Sequence, residues 1–247
     1  MLVFERKVLK NGLHVVLHHD PANPLASVDL HYKVGSRDDS KGQTGMAHLF
    51  EHLMFAGTKK FPSYDKVIQN AGGENNAFTT NDSTNYHITL PAANIEIALM
   101  VESDRMRNIK ISNKIFEREK NVVLEEYKET CLNKPYGDSF HLISKLAYKI
   151  HPYRSPVIGM NEKSISKLKL SEAIRFYKTY YQPANAILSI NSNIDNVTLL
   201  RLIEKHFGSI PSNKLKKKKY PSEPAHIFLQ KMVAKQKAPA DAIYMVF

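Results

Sequence analysis

The sequence predicts an α+β fold, a mostly antiparallel sheet with helices packed on one face. Three observations lead there. Stretches alternating apolar and polar residues are interspersed with stretches whose apolar residues recur every three to four positions. The strand-like stretches come as hairpins and not in strict strand–helix–strand order, which argues against a parallel sheet. With 247 residues and 43% apolar content, the chain can also bury a sizeable core.

Taken in order, "VFERKVL" and "HVVLH" flank Asn11-Gly12, a dipeptide that favours a type I′ turn, so the chain opens with a β-hairpin. "LASVDLHYKVGS" (25–36) alternates as a third strand. Polar "RDDSKGQ" leads into a helix over 44–56, with Thr44 as N-cap and Gly57 just past its end. "KKFPSYDKVIQNAGG" (59–73) carries no assigned element, and "NNAFTTND" and "TNYHITLP" read as two further strands. Helices follow at 92–108 and at 112–132, the latter capped by Ser112 or Asn113, then at 138–149 and 171–181. A strand "NAILSIN" (185–191) precedes a helix at 195–207 that ends in His206-Phe207-Gly208. Beyond it, "HIFLQKMVA" and "DAIYMVF" look strand-like, and the chain stops inside an apolar run. The expected layout is a domain over 1–212, a linker over 213–225 and the truncated start of a second domain over 226–247.

Composition narrows the function classes. No apolar run approaches the ~20 residues of a membrane span, and mean hydropathy is −0.37. The N-terminus lacks the layout of a signal peptide, which predicts a cytoplasmic protein, or a periplasmic or envelope-associated one if a leader was removed. The formal charge of +11 resides largely in "KLKKKKY" (214–220) and "KSISKLK" (163–169), with little aromatic interleaving; this reads as solvated surface and not as a nucleic-acid face. Cys131 is the only cysteine, so neither an internal disulfide nor a thiolate metal site is available, and any metal must be held by histidines and carboxylates.

That requirement directs attention to "HLFEH" (48–52). On a helical wheel Met46, Leu49, Phe50, Leu53 and Met54 form one apolar face. His48, Glu51 and His52 share an arc of about 100° on the opposite side, the histidines about 40° apart and one turn along the axis. Both imidazoles can reach one ion, with the glutamate beside them placed for a water. An ordinary polar helix face would look the same, so a third ligand is needed to distinguish the two. In "SNKIFEREKNVVLEEYKETCL" (112–132) the apolar stripe is Ile115, Phe116, Val122, Val123 and Tyr127, and Glu119 and Glu126 lie on that stripe about 20° from each other. Carboxylates facing a core need a cation or strong donors. A metal accounts for Glu126 and a ligand histidine for Glu119; an arginine or lysine partner is the other account. Glu117, Glu125 and Glu129 point toward solvent. His87, His141 and His151 have no partner at metal-binding spacing and read as structural histidines.

With these residues in view, the inverted motif His48-x-x-Glu51-His52 followed by Glu119 and Glu126 resembles the pitrilysin/insulinase family of zinc peptidases, the inverzincins. The resemblance is closest to bacterial members related to the mitochondrial processing peptidase, and "GMAHLFEHLMFAGT", "GGENNAFTTNDSTNYHITLP", "EREKNVVLEEYKE" and "FYKTYYQPANAILSI" carry it further along the chain. It implies a mitochondrial-processing-peptidase-like metallohydrolase fold and one Zn2+ per chain, held by His48, His52 and Glu126. It also implies Glu51 as the general base, Glu119 as a carboxylate supporting the site, and an edge strand that pairs with an extended substrate near Asn75 and Ala77. The implied activity is cleavage of peptides or small unfolded proteins. Such peptidases are built from two homologous halves, in one chain or in separate subunits, so this chain is expected to need a second homologous half, with a homodimer as one possible assembly. Neither a nucleic-acid partner nor a membrane span is expected. The rival reading is a non-catalytic partner subunit that keeps the fold without turnover.

Overall fold

The computed structural model describes residues 3–40, 42–213, 215, 218–235 and 237–246. Its strands are β1 (Glu5–Val8), β2 (His14–His19), β3 (Leu25–Tyr32), β4 (Glu74–Thr79), β5 (Thr84–Pro91) and β6 (Ala186–Ser192). The helices are α1 (Met46–Leu53), α2 (Tyr64–Asn70), α3 (Ile95–Asn108), α4 (Asn113–Tyr127), α5 (Ser139–Ala147), α6 (Glu162–Ser166), α7 (Leu170–Tyr180) and α8 (Asn196–Phe207). The strands form one sheet in the order β1-β2-β6-β3-β5-β4, antiparallel except where β6 lies parallel to β2. Alternation along the strands turns Val15, Leu17, Val28, Leu30, Tyr86, Ile88, Leu188 and Ile190 to one buried face, which the helices cover. Ser27, Asp29 and His31 point to the other, more open face. This is the α+β architecture that the pattern of hairpins and helices predicts.

Local chemistry explains several boundaries. The first hairpin closes through a three-residue connection: Gly12 N–H donates to Leu9 O at 2.9 Å and Leu9 N–H to Leu13 O at 2.9 Å, with Gly12 alone at positive φ, +87°. A type I′ turn would need Asn11 at positive φ as well. Instead, the Asn11 amide donates to the carbonyls of Phe207 (2.8 Å) and Ile210 (3.1 Å), so a long-range anchor sets the turn. Of the two expected caps of α4, Ser112 is the one used, its hydroxyl accepting from Ile115 N–H at 3.2 Å. Two short helices, α2 and α6, escape sequence reading because each is under two turns long and interrupted by polar residues.

After residue 213 the described chain follows the surface without regular structure. Lys218 pairs with Asp38 at 2.7 Å and lies over the Tyr180 ring, and the Glu223 carboxylate accepts from the N–H groups of Lys149, Ile150 and His151. Lys214, Lys216 and Lys217 of the lysine run lie outside the described residues. The two strand-like segments near the end form no strand among the described residues, and Ile227, Phe228, Leu229, Ile243 and Met245 are exposed. No helix of the described residues is long and apolar enough to cross a membrane.

Candidate metal centre

The centre starts with α1, whose apolar face is fully used: Met46, Leu49, Phe50, Leu53 and Met54 are all buried. Phe50 packs among the rings of Phe176, Tyr177 and Tyr181, fixing the rotation of α1 so that His48, Glu51 and His52 face outward toward α4 and β4. The helix begins at Met46, two residues later than expected, and Thr44 does not cap it. Gly45 holds φ +98°, and a Cβ there would stand 2.9 Å from Ile158 O, so only glycine fits. The cap comes from Asp39, whose carboxylate accepts from Gly45 N–H (2.7 Å) and Ala47 N–H (3.0 Å), while the Thr44 hydroxyl accepts from Met160 N–H. Burial pushes the Asp39 carboxyl up to about 8, against the pull of these donors.

The buried face of α4 centres on Phe116, Val123 and Tyr127; Val122, expected on that stripe, is exposed. It lies about 100° from Val123 around the axis, beyond the contact zone. Glu119 and Glu126 occupy the border of that face and meet α1 there. The imidazoles of His48 and His52 stand 4.9 Å apart between centroids, at 83° to each other. Glu126 reaches both, with Oε1 3.8 Å from His48 Nε2 and Oε2 3.4 Å from His52 Nε2. Atoms from these three residues lie within 4.8 Å of one another, the one such group among the described residues. Ligand atoms about 2.1 Å from a tetrahedral zinc ion stand about 3.4 Å apart. Glu126 already stands at or near that spacing from each histidine, and the three residues form a group able to bind one metal ion.

The protonation states of His48 and Glu126 suit that role. Burial lowers the His48 imidazole to about 4, keeping it in the neutral form that ligates, and its Nδ1 is buried without a hydrogen-bond partner. Burial also pulls His52 down, but the Glu126 hydrogen bond and the charges of Glu126, Glu51 and Glu119 outweigh it and the net shift is upward. The same hydrogen bond holds Glu126 below the usual carboxylate range. Glu119 places Oε2 3.9 Å from His52 Nδ1, so the ring lies between two carboxylates; the other oxygen, Oε1, accepts from Arg118 Nε at 2.8 Å. Arg118 thus supplies Glu119 with the cationic partner considered above, alongside His52. Glu126 has no lysine or arginine partner among the described residues.

Glu51 faces a cleft of about 690 Å³ that Phe55, Asn75, Arg118 and Glu119 also line. Burial raises its carboxyl, partly offset by the Thr79 hydroxyl that donates to Oε2 at 2.5 Å. Sequence reasoning missed Thr79, Arg118 and Asp39. A strand's period of two, extended from Asn75 and Ala77, was the signal available for Thr79. Asn75 and Ala77 lie on β4, the last strand of the sheet, which pairs on one side only with β5. The Ala77 N–H is taken by the side chain of its neighbour Asn76 at 2.8 Å and not by β5. His87, His141 and His151 stay outside the group: His87 Nδ1 lies 3.4 Å from Asn85 Oδ1, His141 Nε2 3.0 Å from Gly159 O, and His151 Nδ1 accepts from Tyr153 N–H.

Comparison with known proteins places this geometry in context. Residues 14–161 match the family model described as Insulinase (Peptidase family M16), and residues 167–247 match one described as Peptidase M16 inactive domain. The chain is 35% identical over 209 residues to the zinc protease PqqE of Helicobacter pylori, covering 83% of this chain and 47% of that protein. It is 31% identical over 210 residues to a probable mitochondrial-processing peptidase subunit beta of Schizosaccharomyces pombe, covering 83% and 45%. The crystal structure of a protease from Helicobacter pylori superposes with a TM-score of 0.83 at 33% identity, over 91% of this chain and 54% of that one. The chain spans about half the length of the curated relatives it matches.

Proposed function

Because the chain belongs to the insulinase family of peptidases, M16, we propose that it is the catalytic half of a zinc endopeptidase that hydrolyses peptide bonds in peptides or small unfolded proteins. The observation that carries this reading is the meeting of His48, His52 and Glu126, from two separate helices, beside Glu51 and a sheet edge. Zinc, when bound, supplies Lewis-acid polarisation of a carbonyl and brings the pKa of a water toward ~7. His48, His52 and Glu126 are the residues that would hold it. Glu51, with Oε2 engaged by Thr79, keeps Oε1 for proton transfer: it takes a proton from the attacking water and returns it to the leaving amine. Glu119 fixes the ring of His52 from its Nδ1 side.

Substrate enters as an added strand on β4. An extended peptide displaces the Asn76 side chain from Ala77 N–H and pairs with the backbone at Asn75 and Ala77, so recognition uses main-chain groups and tolerates many side chains. In this reading residues 1–212 act as the zinc-binding domain, 213–225 connect, and 226–247 begin a homologous second unit; the two family matches meet earlier, between residues 161 and 167. The second half, in the same chain or as a separate subunit, completes the grip on substrate.

The test uses the full-length protein purified with zinc supplied and assayed on an internally quenched, unstructured peptide mixture. It should carry about one zinc per chain, and Glu51→Gln should retain that zinc while losing turnover by at least about 10²-fold. A metal-free protein, or undiminished turnover in Glu51→Gln, overturns the proposal.

A further inference from the structure

Thr79 is the last residue of β4 and, by the strand's period of two, shares a face with Asn75 and Ala77. Its hydroxyl donates to Glu51 Oε2 at 2.5 Å. Two features hold this hydroxyl in place. Thr79 pairs in register with Thr84, whose own hydroxyl is bonded to Val34 O at 2.9 Å in the interior. The chain then turns tightly, with Thr80 N–H donating to Ser83 O and the Thr80 hydroxyl accepting from the N–H groups of Asp82 and Ser83. A β-branched side chain on a strand so anchored has little freedom at χ1. Glu51, in contrast, is a long side chain on α1, and its carboxylate has no other hydrogen-bond donor among the described residues. Left alone, it would sample several rotamers over the cleft.

We infer that Thr79 is a positioning residue for the reaction, and that its hydroxyl aims the Glu51 carboxylate and ties that aim to the strand on which substrate is aligned. The inference rests on the peptidase reading proposed above. It gives β4 a second role: the strand that sets the register of the peptide also sets the place of the base, so the scissile bond and the proton acceptor share one frame. A misplacement of about 1 Å in such an arrangement costs on the order of 10²-fold in rate.

The test compares Thr79→Val, which keeps the shape and removes the hydroxyl, with Thr79→Ser, which restores it. Both are made in the full-length protein, next to Glu51→Gln and assayed on the same quenched peptides. Thr79→Val should lower kcat by about 10- to 100-fold, with KM and zinc content little changed, and Thr79→Ser should recover most of the rate. Thr79→Ala, a second variant without the hydroxyl, should match Thr79→Val. Wild-type turnover in Thr79→Val while Glu51→Gln is inactive overturns this inference and leaves the peptidase reading standing. Equal losses in Thr79→Val and Thr79→Ser, or a loss that follows zinc content, show a structural role only and also overturn it. Full activity in Glu51→Gln removes the peptidase reading itself.

Discussion

Glu126 and Glu129 sit one turn apart on neighbouring stretches of helix, yet their surroundings separate them completely. Glu126 meets two imidazole nitrogens at 3.4 and 3.8 Å, whereas Glu129 is exposed. Glu126→Ala should therefore weaken zinc retention beyond the 10–100-fold typical of losing an outer partner, while Glu129→Ala should leave it unchanged. Competition with a chelator, read as zinc released per chain, checks the order; a larger effect at Glu129 would show that the wrong carboxylate had been chosen. At this scale the sequence was informative wherever helix pitch alone sets geometry. His48 and His52 one turn apart, and Glu119 and Glu126 seven residues apart, had to share helix faces. The hydrogen bond from Thr79 to Glu51 spans 28 residues and depends on how a strand lies against a helix, which no local spacing encodes.

The start of α1 is an element whose stability comes from outside itself. Its first turn carries His48, and its leading N–H groups are satisfied by Asp39, which stands before the Gly45 turn. Asp39→Ala should cost about 1–2 kcal/mol and fray the turn that presents His48, lowering zinc retention together with the melting temperature. Asp39→Asn, which keeps one acceptor oxygen, should cost less. Denaturation of the zinc-free and zinc-loaded proteins measures both effects. The sequence pointed to Thr44 because caps are normally adjacent to the helix they serve. A glycine at positive φ lets the chain double back, so that a more distant carboxylate takes the place. The hairpin shows the same logic: Asn11-Gly12 marks a turn, but the bonds from the Asn11 amide to Phe207 and Ile210 select its type.

In the whole molecule, a buried ion pair ties together elements that neighbour the site. Arg105 and Glu102, each about 1% exposed, pair at 2.6 Å, and the guanidinium lies against the rings of Tyr64 and Tyr86 at 4.3 and 4.4 Å. This joins α3 to α2 and β5. Arg105→Met should cost about 3–5 kcal/mol by stranding the buried Glu102 charge, and adding Glu102→Leu should restore part of the loss, because no buried charge then remains and only the Tyr64 hydroxyl, which donates to Glu102 Oε1 at 2.8 Å, loses its partner. Urea unfolding of the two variants decides it; a double variant no more stable than the single one would refute the account. The sheet has an equally global character, since β6, from late in the chain, lies between β2 and β3 and completes the support for helices near the start. From the sequence alone came the class of fold, the longer helices with most of their buried faces, and the histidines and carboxylates that share helix faces, because those follow from periodicity along one element; the roles of ligand and base came from the family resemblance that these residues carry. The tertiary structure alone decided that β6 enters the middle of the sheet, that Asp39 caps α1, that β4 lies at an edge beside the site and that Thr79 reaches Glu51. Each of these depends on contacts between segments far apart in the chain, whose pairing is chosen by the packing of the whole core.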